Sequence, residues 1–488
     1  MWCRLYMKRK NGSGRDMMKK MLAFWLLLSQ TAISTYSQVD FDRGQSVNIK
    51  EMVSSMPSVA LSEPRKGFFD FISSNSTDAP VPPKEWTVMV YMNGKNDLES
   101  AGFEDIQEME KVGSSDKINI IVEWGRMNGQ RGDTSVDGNW TGSRRYYIFK
   151  DRNNSKIKSK IVGRFKNVDM GDWRHLVDFA RWAKKKYPAK RYMLVIWNHG
   201  TGWKTDKRLP EGKGISYDFD TNNHISTPEL QMAMKKIGKV DILAFDACLM
   251  QMLEVAYEVR EYAKYIFASE QVLPASGFPY DYFLEFFSGK SAVLDTETII
   301  LMANDSVASY LADMEDKPIT LSTLKLSEMD TFVNTFTFWT KALLASDNAK
   351  EIKLSAMAAK RYRERSSKDL YNFAERVAAK IPSLASETAN MMSAFRRLVI
   401  GNEAWESAYR EDKNSHGLAI YLPNKGYNLK YEDLAFARDT FWDEFLKKMD
   451  SVVVSGNVVA GCVDPGTNAP LQEISDYLDC ILGQLSNM

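Results

Sequence analysis

The sequence predicts an α/β protein built on a mostly parallel sheet with helices on both faces. Between residues 86 and 246, short runs of consecutive apolar residues alternate with longer segments of helical spacing. This alternation is typical of buried parallel strands joined by helical crossovers. At 488 residues the chain is also long enough to bury a large core. We therefore expect an α/β core at residues 85–290.

The elements of this core follow one another in a regular order. The predicted strands are, in chain order, WTVMVYM, INIIVEW, SRRYYIFK, RYMLVIW and DILAF. The predicted helices are LESAGFEDIQEMEKV, DWRHLVDFARWAKKKY and STPELQMAMKKI. Residues 291–450 are mainly helical in pattern and return to a strand near residues 416–423. Residues 451–488 form a C-terminal tail, in which we assign only an amphipathic helix.

The N-terminal segment has the features of an export signal. Residues 1–38 contain a basic stretch, the apolar run MLAFWLLL and a small, polar end, and the apolar run is too short to span a membrane. Residues 39–84 lack periodicity and end in SSNSTDAPVPPKEW, which indicates a linker or pro-segment. We expect a secreted or periplasmic protein that has no membrane contact once the signal is removed.

Charge and cysteine content narrow the choice of partners. The chain has 64 basic and 63 acidic residues, so no cationic field favours nucleic acid or an anionic membrane. Cys3 leaves with the signal, and Cys248, Cys462 and Cys480 remain. Cys462 and Cys480 are close enough in sequence to form a disulfide, and the sequence leaves that pairing open. Cys248 stands apart, directly after an apolar run.

Two predicted strands end in residues of chemical interest. RYMLVIW is followed by Asn198-His199-Gly200, and DILAF by Asp246-Ala247-Cys248. A single right-handed crossover places the carboxyl ends of two such strands side by side. A thiol beside an imidazole provides a nucleophile and a base.

Local features of these strand ends support that chemistry. The residues after Cys248 have helical spacing, so we expect a helix dipole to lower the thiol pKa. The backbone N–H groups of Gly200 and Cys248 are candidate donors to an oxyanion. A lone cysteine is more often a buried core residue; its pairing with His199 at neighbouring strand ends favours catalysis.

Several segments of the sequence resemble those of a known protein family. YMLVIWNHGTGW, DILAFDACLMQMLEVAYEV and ASEQVLPASGFPY are similar to the clostripain family of secreted cysteine peptidases, which have a caspase-like fold. WTVMVYMNGKNDLE and HGLAIYLP resemble its first and closing strands, and the similarity covers residues 85–425. The resemblance implies that His199 is the general base and Cys248 the nucleophile of a dyad without a third member.

The resemblance also implies cleavage after arginine or lysine, and Asp246 offers a reason. Asp246 lies two positions before Cys248, so in a continuous strand both side chains face the same side. A carboxylate there binds a cationic substrate side chain. In the alternative interpretation Asp246 merely caps the following helix.

The loop after His199 contains several basic residues between turn formers. Exposed loops are where proteolytic cleavage concentrates, and the resemblance implies self-cleavage in this loop into two chains that stay associated. Matched to the family by its distance from the histidine, the cleavage site that the resemblance implies is Lys213, before Gly214, with Arg208 as the second choice. A solvated surface loop is the alternative.

The chemistry requires no cofactor, but one segment has the spacing of a calcium loop. Asp218, Asp220, Asn222 and Glu229 occupy positions 1, 3, 5 and 12 of an EF-hand-like sequence. No helix obviously precedes it, and Ser226 with Glu229 equally predicts a capping box. Calcium therefore remains one of two interpretations here.

The leading hypothesis is a secreted cysteine endopeptidase that cuts protein or peptide substrates after Arg or Lys. We expect a monomer, which self-cleavage would divide into two chains. One alternative is a peptidase of the same fold with another side-chain preference. The other is a non-catalytic binding or adhesion protein on this scaffold.

Overall fold

The structure is a computed structural model that describes residues 83–153, 155–203, 214–315, 317–407 and 410–454, together with the backbone of 458–459 and 462–463. The predicted signal peptide at 1–38 and nearly all of the linker or pro-segment at 39–84 lie outside the described residues. So do Arg208, Lys213, Cys480 and the side chain of Cys462.

The strands alternate with helices along the chain. The strands are β1 (Lys84–Gly94), β2 (Ile118–Arg126), β3 (Gly142–Tyr147), β4 (Lys160–Phe165), β5 (Ala189–Trp197), β6 (Ile215–Asp218), β7 (Asn223–Ile225), β8 (Val240–Asp246), β9 (Ala263–Ala268), β10 (Ile319–Lys325), β11 (Ser367–Asp369), β12 (Val399–Ser407), β13 (Arg410–Glu411), β14 (Ala419–Tyr421), β15 (Val458–Val459) and β16 (Cys462–Val463). The helices are α1 (Glu99–Val112), α2 (Trp173–Lys186), α3 (Thr227–Ile237), α4 (Leu253–Val259), α5 (Tyr280–Phe283), α6 (Thr296–Glu315), α7 (Met329–Ala345), α8 (Ala349–Ala358), α9 (Leu370–Lys380), α10 (Ala385–Leu398), α11 (Ala435–Asp439) and α12 (Trp442–Ser451).

One ten-stranded sheet organises the molecule, in the order β13-β12-β10-β9-β8-β5-β1-β2-β3-β4. Its centre, β2-β1-β5-β8-β9, is parallel throughout. Antiparallel strands extend both edges. The predicted α/β class with a mostly parallel sheet is confirmed.

The apolar runs of the sequence are explained by burial on both faces of this centre. Every residue of β2 and of β8 is buried, as expected for parallel strands covered by helices on each side. The helix α3 begins at the predicted capping box, in which the Ser226 and Glu229 side chains bond each other's backbone. The elements predicted between residues 86 and 246 are all present.

The C-terminal half corrects one prediction. Residues 291–450 do contain the expected helices, but β10 and β12 within them join the central sheet beside β9. The predicted boundary at residue 290 therefore does not divide the sheet. The strand expected near residues 416–423 is present as β14, which pairs with β11 in a separate small sheet. Within the described part of the chain, no helix combines the length and apolar character needed to cross a membrane.

Candidate active site

The strands that carry His199 and Cys248 are direct neighbours. β5 pairs with β8 in parallel, with Trp197 opposite Asp246, and the Asn198 amide donates to the Asp246 carbonyl at 3.2 Å. Both carboxyl ends therefore lie on one edge of the sheet, as the crossover argument predicted. His199 and Cys248 line the same cleft at that edge.

Asn198 and Gly200 hold the end of β5 in place on either side of the histidine. The Asn198 side chain donates to the Asn93 carbonyl at the end of β1, and its Oδ1 accepts the Tyr217 amide at 2.7 Å. A Cβ atom on Gly200 would lie 2.4 Å from the Cys248 carbonyl oxygen. Glycine is needed at position 200 because the two strand ends approach so closely.

Besides His199 and Cys248, a third polar residue belongs to this region: Asp97, which contacts the histidine. His199 Nε2 lies 2.7 Å from Asp97 Oδ1, and the Phe219 ring stacks on the imidazole with 6.4 Å between ring centroids. Asp97 lies in the turn between β1 and α1, and Asn96 fixes this turn by donating to the Tyr217 carbonyl at 2.8 Å. Asp97 was not predicted from the sequence; its position after β1, a neighbouring strand of the same sheet, was the available signal.

The surroundings of Cys248 correct the prediction about its reactivity. The helix α4 begins at Leu253, and Leu249 adopts a left-handed conformation with φ of 62°. The thiol is therefore not at a helix N-terminus. Burial raises the pKa of Cys248, a hydrogen bond with the Leu273 backbone lowers it, and the Asp246 charge raises it. The net direction is upward, so the thiol depends on a base.

Asp246 belongs to the lining of this cleft and is buried, with 4% of its surface exposed. Its carboxylate accepts the Phe278 amide at 3.1 Å and the Tyr280 hydroxyl at 3.0 Å. A Cβ on Gly277 would lie 2.9 Å from Asp246 Oδ2, so this glycine leaves space beside the carboxylate. Asp246 caps no helix, which removes the alternative interpretation of this residue.

The carboxylate of Asp246 has neutral partners and acidic neighbours. Burial raises the pKa of Asp246 to about 7. Burial, followed by the charge of Asp246, raises the pKa of Asp105, which accepts the Trp197 indole N–H at 2.6 Å. Burial also raises the pKa of Glu108 to about 7. Since no described residue forms an ion pair with Asp246, a cation entering the cleft would find an uncompensated carboxylate there.

The two amides expected to form an oxyanion hole remain available. Gly200 forms an isolated antiparallel bridge with Ile215, in which the Thr201 amide donates to the Gly214 carbonyl at 3.0 Å. Among the described residues, no backbone hydrogen bond uses the amide of Gly200 or of Cys248 as donor. Whether both converge on one substrate oxygen stays a prediction.

The predicted calcium ligands have other partners. Lys95 Nζ lies 3.0 Å from both Asp218 Oδ2 and Asp220 Oδ2. The ammonium group of Lys95 thus supplies the positive charge that a metal ion would otherwise bring. Glu229 Oε2 accepts the Ser226 amide and hydroxyl in the capping box. In the part of the chain that is described, no three His, Cys, Asp or Glu side chains are grouped to hold a metal. The capping box is present, and a calcium site formed by Asp218, Asp220, Asn222 and Glu229 stays a prediction.

The fold and this site define a class of protein. A parallel sheet whose adjacent strand ends bring a thiol, an imidazole and a buried carboxylate to one cleft is the arrangement of a cysteine peptidase with a caspase-like fold. The family comparison agrees, because residues 90–449 match the model of the clostripain family. The chain belongs to the clostripain family of cysteine peptidases.

Individual relatives support the same assignment. Clostripain from Hathewaya histolytica is 30% identical over 215 residues, which is 40% of this chain and 40% of clostripain; the match thus spans less than half of that relative. An inactive zymogen C11 protease from Parabacteroides distasonis has a TM-score of 0.55 at 20% identity, covering 73% of this chain and 98% of that one. Iotapain, a secreted C11 cysteine protease from Bacteroides thetaiotaomicron, has a TM-score of 0.56 at 18% identity, covering 73% and 99%. These two structures share the fold.

Proposed function

We propose that this protein is a secreted endopeptidase that cleaves peptide bonds after Arg or Lys, with Cys248 as nucleophile and His199 as base. The observation that carries the proposal is the buried Asp246 carboxylate, which has no cationic partner among the described residues, in the cleft that His199 and Cys248 line. A guanidinium or ammonium group of the substrate would supply the missing charge. The chemistry needs no cofactor.

The contacts of His199 support its role as the base. When Nε2 donates its proton to Asp97, Nδ1 is the ring nitrogen that carries a lone pair. Nδ1 accepts the proton of the Cys248 thiol, whose raised pKa makes such a base necessary. The sulfur then attacks the carbonyl carbon of the Arg or Lys residue. The amides of Gly200 and Cys248 are the candidate donors to the oxyanion.

The remaining steps return the enzyme to its starting state. The imidazolium of His199 gives its proton to the leaving amine as the carbon–nitrogen bond breaks, leaving a thioester on Cys248. Water then attacks the thioester while His199 takes one of its protons. The acid product leaves, and the thiol regains its proton.

Self-cleavage after Lys213 is part of the proposal. The Gly214 amide donates to Thr201 Oγ1 at 3.0 Å, so the residue that follows the proposed cut lies near the strand end of His199. A cut there would leave β5 in one chain and β8 in the other, and the two are paired in the central sheet. Such pairing would hold the chains together. Export fits the signal-like N-terminus and the secreted relative.

A comparison of matched peptides tests the proposal. Blocked peptides that differ only in Arg, Lys or Ala at the cut should be cleaved with at least roughly 100-fold preference for the cationic residues. Asp246→Ala should abolish most of that preference, and an alkylating reagent or Cys248→Ala should abolish cleavage. A preference for Arg that persists in Asp246→Ala would assign specificity elsewhere. Cleavage of Ala alone would favour a peptidase of another specificity, and no cleavage at all would favour a binding protein.

A further inference from the structure

Three arginines form a second charged feature of the cleft. Arg361, Arg363 and Arg365, which we call the arginine rim, line the same cleft as Asp246 and Cys248. They lie in the turn that precedes β11, where Arg361 forms an isolated bridge with Lys368 and the Tyr362 amide donates to the Ser367 carbonyl at 3.1 Å. None of the catalytic steps above uses them.

The turn is attached to the segment that borders the nucleophile. The Tyr362 hydroxyl donates to Glu270 Oε1 at 2.6 Å, and the Arg363 amide donates to Gln271 Oε1 at 3.1 Å. Two residues further along, the Leu273 carbonyl lies 4.0 Å from Cys248 Sγ. These bonds fix the arginine rim beside the substrate path rather than on a distant face.

The rim, in which Arg361 is half-buried and Arg363 and Arg365 are exposed, differs in its charge environment from the buried arginines of the core. Arg126 and Arg145 form ion pairs with buried glutamates at 2.7 Å. No ion pair among the described residues joins the rim guanidinium groups to a carboxylate. Burial, followed by the neighbouring charge of Arg365, lowers the pKa of Arg361. With three arginines and only Glu364 among residues 361–365, the rim keeps a net positive charge, and an anion would relieve the repulsion between its guanidinium groups.

We infer that the arginine rim is a substrate subsite for a carboxylate, so that the enzyme favours peptides carrying Asp or Glu within a few residues of the cleaved Arg or Lys. The inference rests on the proposed function, because it requires a peptide in this cleft with its cationic side chain at Asp246. The Asp246 carboxylate and the arginine rim would then select for opposite charges on the same substrate. A basic residue near the cut would be repelled by the rim.

Peptides with blocked termini and a single Arg test the inference directly. Glu, Gln or Lys is placed at each of the three positions on either side of the cut, and kcat/KM is measured at low and high salt. At the position that reaches the rim, Glu should exceed Gln by roughly threefold to tenfold at low salt, with Lys below Gln. The Glu advantage should shrink at about 0.5 M salt, because these charges are largely exposed.

Substitutions in the rim assign the preference to these residues. Arg363→Gln combined with Arg365→Gln should bring the Glu-to-Gln ratio close to one, and Arg363→Glu should raise the Lys peptide above the Glu peptide. Arg181→Gln, on the exposed side of α2 outside this cleft, is the matched control and should keep the wild-type ratio. A wild type with no Glu preference at any position, or a double variant with the wild-type ratio, would overturn the inference while Arg cleavage persists. Loss of the proposed function itself would show as no Arg cleavage by the wild type.

Discussion

Asp97 Oδ1 lies 2.7 Å from His199 Nε2, although the two residues are 102 positions apart in the sequence. Both side chains are about one-third exposed, at 37% and 32%. In the proposed mechanism this contact orients the imidazole by Nε2 and leaves Nδ1 for the Cys248 thiol. We therefore expect Asp97 to be a positioning residue that acts on the proposed reaction through His199.

Replacing Asp97 should lower turnover more than substrate binding. We expect Asp97→Ala to reduce kcat by roughly tenfold to 100-fold with little change in KM, the range typical of a lost orienting partner. Asp97→Asn should retain more activity, because its amide oxygen can still accept the Nε2 proton. Asp116→Ala, an exposed carboxylate paired with Lys117, is the control. A rise in KM at constant kcat would place Asp97 in substrate binding instead.

The preference for a charged substrate should depend on pH. Burial raises the pKa of Asp246 to about 7, so in the free enzyme the carboxylate becomes neutral as the pH falls through that value. The ratio of kcat/KM for an Arg peptide to that for its citrulline analogue should therefore be highest above pH 8 and fall towards pH 5. Titrations of other enzyme groups affect both peptides and cancel in the ratio. A ratio that stays constant from pH 5 to 9 would contradict an ionised Asp246 as the specificity group.

Self-cleavage should require the protein's own nucleophile, Cys248. Purified wild-type protein should separate into two fragments on a denaturing gel and elute as one species under native conditions. Cys248→Ala should stay one chain, and Lys213→Gln should slow the cut or move it to Arg208. N-terminal sequencing of the second fragment identifies the bond, with Gly214 expected. Equal cleavage of wild type and Cys248→Ala would point to a contaminating protease.

Calcium should add no stability through residues 218–229, because Lys95 already bridges two of the carboxylates. We expect the melting temperature of the wild type to be the same in millimolar calcium and in a chelator. Lys95→Met should lose about 3–5 kcal/mol of unfolding free energy, since it leaves the buried Asp218 unpaired. If calcium restores much of that loss, the two carboxylates bind a cation only when the lysine is absent. A calcium-dependent rise in the wild type would contradict this interpretation.

The sequence predicted the residues whose positions follow from local pattern. His199, Cys248 and Asp246 each lie at the end of an apolar strand, and the connection between the strands is one crossover. The sheet rules then place them together without knowledge of any tertiary contact. The same reasoning predicted the capping box of α3.

Other features depend on tertiary contacts, which the hydrophobic periodicity of the sequence does not reveal. The apolar spacing after Cys248 continues smoothly into α4, yet residues 249–252 are not helical. Their backbone is used elsewhere: the Leu249 amide donates to Gln271, the Gln251 amide donates to Ser269, and the Gln251 carbonyl accepts the Ala419 amide. The contact between Asp97 and His199 likewise depends on the shape of one turn. β10 and β12 were missed because they are single antiparallel additions within a helical region.

The uncharged hydrogen-bond partners of Asp246, the Phe278 amide and the Tyr280 hydroxyl, have a practical consequence for ligand discovery. Above about pH 7 the resting protein holds a dehydrated negative charge, to which the described residues donate hydrogen bonds only from an amide and a hydroxyl. A small guanidine or amidine compound would relieve that cost without being cut. Its binding would raise the free energy of unfolding by RT ln(1 + L/Kd), where L is the free ligand concentration. Fragment screening by thermal shift on a Cys248→Ala protein would thus find inhibitors of this enzyme without any assay of turnover.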